Sequence, residues 1–93
     1  MYGPKIILHL QSSAPADLGR LVEAFLSDGV KFVGVVGAEA SRVEDLVDEL
    51  VVGDGSDPER FILTSSHESL VEAVGFANSL SGEYSGDVQV IEA

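Results

Sequence analysis

The sequence predicts a small α/β domain, and three observations carry that prediction. Lys5–Gln11, KIILHLQ, is a short run that is apolar on both faces, which is how a strand covered by helices on both sides reads. After it, Leu18, Leu21, Val22 and Phe25 recur at helical spacing, with Asp17, Arg20, Glu23 and Asp28 mostly off that stripe. Val30–Val36, VKFVGVV, then supplies a β-branched run. Only about a dozen and a half residues separate the two runs, so the helix between them is a crossover joining adjacent parallel strands.

Pro15 suits the first turn of the opening helix, where its missing N–H is no loss, with Ser13 or Ala14 near the cap. Gly29 stops that helix. Past the second strand, Gly37-Ala38-Glu39-Ala40 is a loop, and Ser41-x-x-Glu44 reads as a capping box opening a second helix. Val43, Leu46, Val47 and Leu50 are its buried stripe. Leu50-Val51-Val52 fits two descriptions, the last turn of that helix or a short fifth strand. Gly53–Pro58 is a loop. Phe61–Thr64 reads as the next strand, with Ser65-Ser66-His67-Glu68 as its exit turn and Ser65-x-x-Glu68 as a second capping box. Leu70, Val71, Val74, Ala77 and Leu80 mark a third helix, closed by Ser81-Gly82. Tyr84-Ser85-Gly86 leads into Asp87–Glu92, where Val88 and Val90 alternate with Asp87 and Gln89 as in a half-exposed edge strand. The sum is one domain over residues 1–93. It is a three-layer sandwich on a mostly parallel four-stranded sheet, Rossmann-like or flavodoxin-like, with the first strand central.

Composition narrows the function classes. Sixteen acids against five bases give the 93 residues a formal charge of -11. Such a surface repels phosphate backbones and anionic lipid, so neither nucleic acid nor membrane is an expected partner. With no cysteine there is no disulfide scaffold and no thiolate chemistry. The composition is compatible with the cytoplasm. The first residues, MYGPKIILHLQ, lack the pattern of a cleaved leader and are expected to be mature chain. A domain of this size without disulfides gains from a partner subunit.

In an open parallel sheet, ligands bind beyond the carboxyl ends of the strands. That rule assembles a candidate pocket from Gln11, Ser12, Ser13, Gly37, Glu39, Ser65, Ser66 and His67. His67 is its most chemical member, able to act as a base near neutral pH, although a surface histidine in a helix cap explains it as well. Ser13, His67 and Glu39 can be written as a triad, but no G-x-S-x-G elbow supports it. His9, inside the first strand, reads as a hydrogen-bonded strand residue. Two histidines 58 positions apart make no zinc site. Gly34–Glu39 is neither a dinucleotide fingerprint nor a phosphate loop, and Gln11-Ser12-Ser13 lacks the acids that a phospho-accepting domain needs to hold magnesium. No cofactor or metal is expected. The functional expectation is a non-enzymatic binding or regulatory module, a homo-oligomer. The alternative is a small-molecule binder or small enzyme centred on His67.

Overall fold

A run that is apolar on both faces can be satisfied only between two layers, and β1 (Lys5–His9) sits there. The computed structural model describes residues 2–11 and 17–93. The remaining elements are α1 (Leu18–Ser27), β2 (Phe32–Val36), α2 (Ala40–Val52), β3 (Leu63–His67), α3 (Leu70–Ser79), a 3-10 turn (Gly82–Tyr84) and β4 (Val88–Glu92). All the pairings are parallel and the strand order is β3-β2-β1-β4. The sheet is therefore fully parallel, with β1 and β2 inside and the half-exposed β4 at one edge.

Alternation along β1 and β2 sorts the core into two layers. Ile6, Leu8, Val33 and Val35 face α1 and α2, where Leu18, Val22, Phe25, Val43, Val47 and Val51 meet them. Ile7, Phe32 and Val36 face α3, against Ala73 and Ala77. Gly34 shares that second face. A Cβ there would lie 3.0 Å from Ile7 Cδ1 and 3.1 Å from the Phe32 ring, so the bare backbone lets those two side chains close over it. Gly29 follows α1 at φ +80°, as its place behind the helix requires.

Several boundaries differ from the sequence expectation, each for a physical reason. Leu50–Val52 belongs to α2, and no fifth strand forms among the described residues. Val43, Val47 and Val51 repeat every fourth residue into the core, and Arg60 seals the helix end. Its Nε donates to the Val51 carbonyl at 2.8 Å and its Nη2 to that of Leu50 at 2.8 Å. β3 begins at Leu63 instead of Phe61, because the ladder starts where Leu63 pairs with Phe32; Phe61 stays exposed. Ser65, Ser66 and His67 are consequently strand residues and not a turn. The third helix is capped by Ser69, whose hydroxyl accepts the Glu72 N–H at 3.1 Å, in place of Ser65. α2 starts at Ala40 with Glu39 in the capping position, so Ser41 lies inside the first turn. β1 ends at His9, two residues short of Gln11. The expected helix start at Pro15 lies outside the described residues.

Arg60 also ties α1 to this corner through a two-pronged contact with Glu23, at 3.2 and 2.7 Å. That contact holds the Glu23 carboxyl below its ordinary 4.5 and makes the Arg60 guanidinium still harder to deprotonate. A carboxylate with a depressed folded-state pKa contributes stability above its unfolded pKa and loses it as pH falls through the folded one. Wild-type protein is thus expected to lose this contribution on acidification below about pH 4.5, whereas Glu23→Gln lacks it at every pH. Urea midpoints of the two proteins across that range should converge at the acid end; parallel profiles would refute the coupling.

Candidate functional site

The parallel register sets one row of residues at the carboxyl end of the sheet: His67, Val36, His9 and Glu92, from β3 across to β4. Both histidines lie on the α3 face, but Val36 separates them by two strand spacings, about 10 Å. They do not converge on one point. Among the described residues, no group of three or more metal-ligating side chains is placed to hold an ion.

The row divides into two clusters. At the β1–β4 end, His9 Nδ1 lies 3.1 Å from Glu92 Oε2, and Gln11 Nε2 donates to the other Glu92 oxygen. Backbone bonds from Gln11 N to Ala93 O at 2.6 Å and from Ala93 N to His9 O at 2.9 Å hold the two strand ends together. In this strand order the connections change sides between β1 and β4, the place where ligands collect in open α/β sheets. Here that place is occupied by side chains bonded to one another.

At the β2–β3 end there is a cleft of about 370 Å³ lined by Gly37, Ala38, Ala40, Ser41, Ser66, His67 and Glu68. The sequence-predicted pocket therefore separates. Gly37, Ser66 and His67 meet in this cleft, while Gln11 joins β4. Glu39 turns to Arg42, 3.1 Å away on the outside of α2. Ser12 and Ser13 lie outside the described residues.

Ser65 sits with His67 on the α3 face. Its Oγ is 2.7 Å from His67 Nε2, and His67 Nδ1 is 3.4 Å from Glu72 Oε1. The imidazole also packs against Phe76, with ring centroids 5.3 Å apart, and its side chain is only 8% exposed. With Nδ1 protonated toward Glu72, Nε2 accepts the Ser65 hydroxyl. The order of groups is that of an acyl-transfer triad. Ser65, however, lines neither that cleft nor the shallower depression beside Glu39 and Arg42. The chain of bonds instead pins the edge strand β3 to the first turn of α3. On the opposite face of β3, Thr64 Oγ1 lies 2.9 Å from Glu44 Oε2 and 2.7 Å from Asp48 Oδ1, which fastens the strand to α2.

Glu72 and Glu92 were missed by sequence reasoning. Glu92 becomes a neighbour of His9 only once β4 is known to pair with β1. Glu72 had a local sign, the Ser69-x-x-Glu72 pattern that caps α3.

Fold and site together define a small open α/β domain whose strand order is that of the first four strands of a dinucleotide-binding sheet, without the glycine fingerprint that such sheets use. Residues 5–90 match the family Domain of unknown function (DUF7684), and the chain belongs to it. No curated protein and no solved structure shows a significant match. No helix among the described residues is long and apolar enough to cross a membrane.

Proposed function

We propose that this domain is a non-enzymatic binding module that associates with itself through the flank of α3 next to β4. The observation that carries the reading is Val71, 85% exposed on a helix whose only charged residue is Glu72. By contrast α2 presents Glu44, Asp45, Asp48 and Glu49. Phe76 and Glu72 lean over β3, where they touch His67. Val71 lies about 140° around the helix from Phe76 and about 120–160° from the sheet-facing Ala77 and Ala73, so it points outward on the side of the helix away from β3. Half-buried Val74 and Val88 floor that flank and Val90, 40% exposed, borders it. An uncharged strip, polar only at the exposed Asn78 beside Val71, on a chain of charge -11 suits a protein surface and no charged ligand.

Sedimentation over a concentration series tests the reading. Wild-type protein is expected to self-associate, and Val71→Asp to weaken association by about tenfold or more, since it places a carboxylate in the contact. A strict monomer at every concentration would sink it. The meeting of Gly37, Ser66 and His67 in one cleft beyond the strand ends supports a second reading, a small-molecule site. A thermal-shift screen that finds a ligand raising the melting temperature of wild-type but not Ser66→Trp protein would support this second reading.

A further inference from the structure

We infer that the corner where α2 ends and the chain approaches β3 is a docking surface for a basic segment of another protein, one rich in lysine and arginine and carrying large apolar side chains. This surface is separate from the α3 flank, since α2 packs on the opposite face of the sheet from α3. Val52, in the last turn of α2, and Phe61, ahead of β3, are each more than half exposed. The core needs neither of them. Val43, Val47 and Val51 bury α2, and the β3 ladder starts at Leu63. Arg60 ties the two apolar residues to one corner, because its guanidinium bonds the carbonyls of Leu50 and Val51, the residues just before Val52. Phe61 follows Arg60 directly. Val52 also borders an open depression with Asp48, Glu49 and Gly53.

Charge selects the occupant. Residues 43–59, VEDLVDELVVGDGSDPE, hold seven of the sixteen acids in the chain and no base. Asp48, Glu49, Asp54, Asp57 and Glu59 are all exposed there. Asp54 accepts the Ser56 N–H at 2.9 Å and Asp57 the Glu59 N–H at 3.0 Å, neutral donors that orient the carboxylates and leave their charge in place. The bases at the ends of the segment are engaged, Arg42 with Glu39 and Arg60 with Glu23. Lys31, whose carbonyl accepts the Leu63 N–H, is a further cation on this side, set against five exposed carboxylates. A second copy of this chain would bring acid against acid here, and nucleic acid or anionic lipid would meet the same repulsion. A small cation would leave Val52 and Phe61 in water. A basic segment answers both features, its cationic groups meeting the carboxylates while its apolar side chains cover Phe61 and Val52. An aromatic anchor inside a charged rim is the anatomy of a protein contact, and the rim speeds the encounter.

The test uses the whole chain and two synthetic peptides of equal positive charge, one combining lysine with leucine and the other with serine in place of leucine. Fluorescence anisotropy should show the lysine–leucine peptide binding at least about tenfold more tightly than the lysine–serine peptide, with both weakening as salt rises. Val52→Ser combined with Phe61→Ser keeps the charge and should bring the first peptide down to the affinity of the second. Asp54→Asn, Asp57→Asn and Glu59→Gln together keep the loop's side-chain acceptors and should weaken both peptides. Amide resonances that shift during titration should fall within residues 48–61. Equal affinity of the two peptides, or unchanged binding by the serine variant, would overturn the proposal. Shifts centred on Val71, or no binding at low ionic strength, would overturn it as well.

Discussion

Gly37→Ala is expected to destabilise the domain by about 3 kcal/mol, a large share of what a domain of this size has in total. Two costs combine. The residue holds φ at +138°, a region that side-chain-bearing residues rarely enter, and such strain costs about 1–3 kcal/mol. A Cβ there would also stand 3.0 Å from Leu10 Cβ. Leu10 is buried and its N–H bonds the Val36 carbonyl at 2.9 Å, so the contact is relieved only by moving the link between β1 and β2. Overpacking of that kind adds about 1–3 kcal/mol, part of which relaxation removes. Urea denaturation should show a lower midpoint with an unchanged slope. The result bears on the site, because Gly37 also lines the cleft with Ser66 and His67. A stable Gly37→Ala protein would refute the backbone account of this glycine.

What the sequence reveals and what it hides both follow from where pairing energy comes from. β1 and β2 are legible because burial on both faces leaves a continuous apolar run. β3 is not, because an edge strand can be polar: its Thr64-Ser65-Ser66-His67 segment forms a ladder with β2, and its side chains reach across to the neighbouring helices, the Thr64 hydroxyl donating to one of Glu44 and Asp48 and His67 facing Glu72. No local pattern announces such a strand. The overlapping patterns Ser65-x-x-Glu68 and Ser69-x-x-Glu72 look alike in sequence; the start of the ladder at Leu63 decides between them by drawing Ser65 into the sheet. The end of α2 is likewise settled by Arg60, several residues beyond the helix. For the site, strand-end reasoning brought Gly37, Ser66 and His67 together, since adjacent parallel strands finish side by side. It could not separate Gln11 from them, because that depends on β4 entering beside β1 from the far end of the chain.

Lys5→Ala is expected to cost a further large amount, about 3 kcal/mol, for a reason that neither apolar patterning nor charge counting exposes. Lys5 opens the central strand and is 2% exposed, with its ammonium 2.7 Å from the Ala77 carbonyl. That carbonyl belongs to the last turn of α3, where the helix dipole is negative, so a cation is favoured there. Truncation to alanine removes a charged hydrogen bond, worth about 1.5–3 kcal/mol, and empties the space of a long side chain, worth about 2–5 kcal/mol. Relief from burying a charge offsets part of the sum. Lys5→Met separates these contributions, since it nearly keeps the volume and removes the charge together with its hydrogen bond. The Ala77 carbonyl retains the Leu80 N–H at 3.3 Å, so methionine should cost about 1 kcal/mol. If methionine proves as damaging as alanine, the ammonium–carbonyl bond and not packing anchors α3 to β1. If both variants match the wild type in denaturant midpoint, the buried lysine contributes nothing to the fold.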